Sequence, residues 1–155
     1  NDAIKNLIDF RLEEGKSLED DLSNQISAID ELLQEALKYD AERTEIVRER
    51  LRSNLADLEN KEKVNEDRFE QEMIYYLEKY DISEEKVRLK THCDYFKKTM
   101  AEDTGQGKKL GFISQEIGRE INTLGSKANH AEMQKLVVQM KDHLEKIKEQ
   151  VLNVL

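Results

Sequence analysis

The chain of 155 residues has no proline, no tryptophan, a single cysteine and no long apolar run. Each absence excludes something. Without proline, nothing in the sequence forces a helix interior to break at a cost of about 3 kcal/mol. With Cys93 as the lone thiol, an internal disulfide or a cysteine-built zinc site is impossible, and a reducing cytoplasm is the expected compartment. No apolar stretch approaches the roughly 18 residues of a membrane span, and no charged-then-apolar leader precedes the first helical pattern, so no membrane contact is expected. What is present points one way: 38% charged residues, 37% hydrophobic residues and plentiful Glu, Lys and Leu match long amphipathic helices rather than sheet. Because Asn1 is not a start methionine and helical patterning begins at once, the chain is expected to be part of a longer protein.

The formal net charge of -9 would ordinarily count against a nucleic-acid partner, since phosphate repulsion opposes approach. Its distribution changes that inference. Residues 1–85 hold 12 Lys or Arg against 25 Asp or Glu, a balance of -13, whereas residues 86–155 hold 13 against 9, a balance of +4. Any polyanion should therefore approach the second half.

Apolar residues recur at helical spacing along most of the chain. Ile4, Leu7, Ile8 and Leu12 share a face, and Gly15 is the first breaker, where a short helix should end or bend. Leu18, Leu22, Ile26, Ile29, Leu33 and Ala36 continue in steps of three and four, and Ile46, Val47, Leu51, Leu55 and Leu58 repeat the pattern after Tyr39-Asp40. These steps predict a long helix or antiparallel helical pair with a coiled-coil seam. The run "ENKEKVNED" (59–67) reads as a turn, and "DTGQG" (103–107) as a loop. Phe69, Met73, Leu77 and Tyr80 mark the next helix; Asp81 or Ser83 can cap the one after, with its stripe Leu89, Cys93, Phe96 and Met100. Met133, Val137, Met140, Leu144, Ile147, Val151 and Val154 form a heptad seam. The expected fold is all-α, a bundle of long antiparallel helices with coiled-coil-like seams: a helical hairpin or coiled-coil region over 1–65 and a C-terminal helical domain over 66–155.

The stretch "GKKLGFISQEIGREINTLGSKA" (107–128) divides into three surfaces at about 100° per residue. Leu110, Ile113, Ile117, Ile121, Leu124 and Ala128 make a core face, while Gly111, Ser114, Gly118 and Gly125 make a strip with almost no side chains. Three interior glycines cost roughly 3 kcal/mol relative to alanine, so something should approach that strip closely, a neighbouring helix first of all. Glu116, Arg119, Glu120, Thr123 and Lys127 occupy the third surface. By spacing alone, solvated Glu and Arg pairs explain it better than a ligand does.

That stretch, followed by "LVVQMKDHLEKIKEQVLNVL", resembles the C-terminal signature of the YicC/YloC family of bacterial stress-associated endoribonucleases. "FRLEEGKSL", "RFEQEM" and "ISEEKVRLKTH" resemble further blocks of the family in the same order. The resemblance implies a divalent-metal-dependent endoribonuclease of cytoplasmic RNA turnover, assembled into a ring-like homo-oligomer, a hexamer. It also implies that the family's N-terminal α/β domain is absent from this chain, which is then the helical C-terminal part and inactive alone. Gly111 and Gly118 depart from the family pattern, which often has Asp and Asn there, and neither is given a catalytic role.

RNA cleavage needs an activated water or 2'-hydroxyl and stabilised phosphate charge, for which Mn²⁺ or Mg²⁺ held by carboxylates is suited. Glu116 and Glu120, one helical turn apart, are the first candidates as catalytic groups and metal ligands, with Glu72 of the "RFEQE" block and Glu85 as further ligands. Arg119 and Lys127 would contact phosphate. His92, four residues after Arg88, is a candidate acid, base or ligand, although a packed histidine beside the Leu89-Cys93-Phe96 stripe is an equal reading. Arg88, Lys108 and Lys109 belong to a run of seven cations between residues 86 and 109 that could track an RNA backbone. The competing class is a non-enzymatic helical module for oligomerisation or for binding an RNA-decay protein.

Overall fold

The computed structural model describes residues 1–59, 65–102 and 105–153. Six helices account for most of them: α1 (Asp2–Leu37), α2 (Asp40–Glu59), α3 (Glu66–Lys79), α4 (Ser83–Met100), α5 (Gly107–Lys127) and α6 (Ala131–Val151). There is no strand among the described residues, as the all-α expectation requires. Most of the turn expected at 59–67, the start of the "DTGQG" loop, the Leu58 side chain and Val154 lie outside the described residues.

The break expected at Gly15 does not occur, since α1 runs through it for 36 residues. A lone glycine costs a helix only about 1 kcal/mol, and its neighbours Leu12, Glu13, Glu14 and Lys16 are good helix formers. Past that point α1 buries Leu22, Ile26, Ile29, Leu33 and Ala36, lying along α6 and α4. Two polar ties fix its rotation. Gln25 Oε1 lies 2.5 Å from His143 Nδ1 of α6, and Asp30 Oδ2 accepts from Lys90 Nζ of α4 at 2.7 Å, with Lys97 Nζ at 3.7 Å. Beneath Asp30, burial and then the Asp30 charge push the Cys93 thiol up to about 12, so Cys93 is packing and not a nucleophile.

The main core joins α1, α4, α5 and α6. A smaller one, Leu51, Leu55, Phe69 and Met73, joins α2 to α3. Two caps set the entries of α4 and α6. The Asp81 carboxylate accepts from the Ser83 N–H at 3.0 Å and the Ser83 hydroxyl at 2.6 Å; these two bonds, the hydroxyl's first, hold its pKa below the usual carboxylate range. His130 Nδ1 accepts from the Met133 N–H at 3.3 Å, an N-cap by imidazole.

The small-residue strip of α5 faces α6, as expected of a neighbouring helix. A Cβ at Gly111, Gly118 or Gly125 would lie 3.8, 3.2 or 3.1 Å from Val151, Leu144 or Val137. Gly118 and Gly125 thus allow the helices to approach over the seam Met133, Val137, Met140, Leu144, Ile147 and Val151, all buried. Urea melts should separate the glycines. Gly15→Ala, with nothing within 4 Å, should gain about 1 kcal/mol. Gly125→Ala should lose about 1 kcal/mol, because Val137 is stiff at χ1 and cannot yield.

Candidate functional site

Two ion pairs set the register of α4 against α5. Glu85 Oε1, at the start of α4, meets Lys127 Nζ at the end of α5 at 2.7 Å. Glu102, just past α4, meets Lys109 in the first turn of α5 at 3.4 Å. The helices are therefore antiparallel. Seven residues, close to two turns, separate Glu85 from His92, and seven separate Lys127 from Glu120. The same register brings His92 and Glu120 to one level, on the faces that Glu85 and Lys127 use to meet. Glu116 lies one turn further along α5, and Arg88 and Arg119 flank the seam on its outer side.

Glu120 is only 9% exposed, yet among the described residues it has no hydrogen-bond or ion-pair partner, and neither of its oxygens is fully enclosed. Its stem is packed while its carboxylate still reaches water. Sequence spacing could not show this, because burial depends on α4 lying alongside. His92 is half-buried and likewise makes no hydrogen bond or ion pair among the described residues. Glu116 is half-buried and sits 3.7 Å from the exposed Arg119, while the exposed Arg88 meets Glu84 at 2.9 Å. Both pairs lie at the surface, where an anion can displace the carboxylate at little cost.

Of the remaining candidates, Glu72 lies away from α4 and α5, and the others lie toward the ends of those two helices. Glu85 and Lys127 are paired with each other, and the second Glu85 oxygen is buried without a partner. Glu72 is half-buried on α3, which packs on α2. Lys108 is exposed at the start of α5; beside it, Lys109 Nζ lies 5.2 Å from the centre of the Tyr95 ring. The Tyr95 phenol, its largest influence, and Glu102 hold the Lys109 ammonium above the usual lysine range.

Glu116, Glu120 and His92 are hard and borderline ligands of the right kind for Mn²⁺ or Mg²⁺. However, no group of three His, Cys, Asp or Glu side chains among the described residues is arranged to hold a metal ion.

Sequence reasoning missed Arg43. Its side chain is 6% exposed; it pairs with Asp40 at 2.9 Å and donates to the carbonyl oxygens of Tyr80 and, at 3.4 Å, Lys127. A signal was present, since Arg43 heads the four-residue steps Val47, Leu51 and Leu55 and is a cation in an apolar stripe. Arg43 also lines a cleft of about 380 Å³ with Tyr76, Tyr80 and the acids Asp40, Glu78 and Asp81. That excess of negative charge disfavours a polyanion there, and leaves the α4–α5 seam as the better surface for one.

Residues 22–155 match the family described as Endoribonuclease YicC-like, C-terminal. The chain is 37% identical over 154 residues to a protein of Clostridioides difficile (strain 630) named "Probable endoribonuclease YicC", covering 99% of this chain and 53% of that protein. It is 30% identical over 160 residues to a protein of the same name from Haemophilus influenzae (strain ATCC 51907 / DSM 11121 / KW20 / Rd), with the same coverage of 99% and 53%. The chain spans about half the length of these curated relatives.

Proposed function

The chain belongs to the YicC-like endoribonuclease family, and from that premise we propose that it forms the helical C-terminal part of an endoribonuclease acting in cytoplasmic RNA turnover. The observation that carries the reading is the unpartnered Glu120, which the α4–α5 register puts level with His92. An imidazole can take a proton from a 2'-hydroxyl or a water, and a carboxylate beside it can orient the ring or the water. Arg88 and Arg119, exposed on either side, supply guanidinium groups to the phosphate. Glu116 orients Arg119. The Mn²⁺ or Mg²⁺ dependence belongs to the full-length assembly in this proposal, because the described residues hold no three-donor group.

The test uses a full-length version built to the length of the relatives, labelled RNA, and Mn²⁺ or EDTA. Cleavage should fail in His92→Ala and Glu120→Gln; cleavage that persists in both would sink the assignment. EDTA decides the metal question separately from the residues.

One observation favours a role in assembly besides. Residues 1–17 of α1 are exposed, and Ile4, Leu7, Ile8 and Leu12, each more than half exposed, share one face. In the proposal this stripe is a contact of the homo-oligomer, a hexamer at full length, with RNA-decay proteins as the other occupants. Ile8→Glu should lower the mass found by sedimentation equilibrium, and an unchanged mass would exclude the stripe.

A further inference from the structure

We propose that Tyr95 and Phe112, either side of Lys109, form a stacking platform for unpaired nucleobases, so that the α4–α5 seam receives single-stranded RNA. The inference rests on the RNA reading above and deepens it by naming the form of the substrate. Phe112 is 64% exposed and Tyr95 is 42% exposed, whereas Phe96 on α4 is fully buried. Neither ring faces the core: Phe112 follows Lys109 by three residues on α5, and Tyr95 lies under the Lys109 ammonium. Residues three apart on a helix are neighbours, so the two rings and the cation share one patch. The patch lies along the seam from His92, which precedes Tyr95 by three residues, and from Glu116, which follows Phe112 by four.

Charge selects the occupant. Lys98 and Lys108 are exposed nearby without ion-pair partners among the described residues, in the half of a chain of net charge -9 that carries a positive balance. Exposed aromatic faces interleaved with lysines suit a strand whose bases are free and whose phosphates need cations. A duplex presents phosphates but hides the faces of its bases, so it can use the lysines and not the rings.

The experiment measures anisotropy of labelled oligoadenylate and of a blunt RNA duplex titrated with this chain and with its full-length version. Oligoadenylate should bind more tightly than duplex. Tyr95→Leu and Phe112→Leu should each weaken oligoadenylate by about 5- to 150-fold, the range of one lost stacking contact, with little effect on duplex. Tyr95→Phe should restore binding, since the ring and not the hydroxyl stacks. Charge reversal at Lys108 should instead lower the salt dependence for both probes. Equal affinity for the two probes, unchanged binding by both leucine variants, or failure of Tyr95→Phe to rescue would each overturn the platform. So would variants that lose self-association while keeping RNA affinity, which would identify a protein interface. Cleavage by His92→Ala and Glu120→Gln is read separately, so the platform can fail while the catalytic assignment stands, and the reverse.

Discussion

Glu120→Gln is expected to lower single-turnover RNA cleavage by about 10²- to 10⁴-fold, the span of a lost general acid-base step, while leaving thermal stability near that of the parent. The two expectations share a cause. Glu120 has no partner among the described residues and neither of its oxygens is fully enclosed, so an amide of the same shape strands no partner and leaves the packing as it is. A carboxylate kept for a salt bridge would behave the other way, since removing it strands its partner. His92→Ala should lower the rate comparably, and the double variant should be little worse than either single one, because groups acting as a unit are not additive. RNA affinity should stay near that of the parent in all three. A Glu120→Gln protein that melts earlier and cuts normally would return Glu120 to a structural role.

The apolar stripes were legible because burial follows spacing. The core face and glycine strip of α5, and the seam of α6, are occupied as their periods of three and four require. Gly15 misled because a local breaker signal is worth only about 1 kcal/mol and a helix of 36 residues absorbs it. The candidate site was legible in its residue types and not in its partners. Nothing along the chain says that Lys127 meets Glu85, 42 positions earlier, or that Glu120 lies level with His92. Those facts depend on how α4 slides along α5, which the packing of Leu89, Phe96, Ile117 and Leu124 in the shared core decides. Arg43 shows the same limit, since its acceptors are backbone oxygens of two distant turns, and backbone oxygens leave no mark in a sequence.

Lys127→Met should destabilise the chain by about 3 kcal/mol, the lower end for breaking a buried pair, and lower the melting temperature by roughly 6 to 12 °C for a domain of this size. The lower end applies because Lys127 keeps 31% exposure while Glu85 has 5%. The lysine holds more than one partner: its ammonium also donates to the Asp81 carbonyl at 3.0 Å, and its own carbonyl accepts from Arg43. The end of α5, the α3–α4 turn and the start of α2 therefore meet at this residue. With methionine in place, Glu85 would keep one oxygen already buried without a partner and lose the cation on the other. Glu85→Leu added to Lys127→Met should recover most of the loss, because replacing both members of a buried pair by apolar groups is near neutral. A phosphate-binding lysine gives the opposite pattern, with stability intact, oligoadenylate affinity lower and no rescue by Glu85→Leu. Binding measured below both melting temperatures, beside the two melts, decides between a lysine that closes the fold and one that faces RNA.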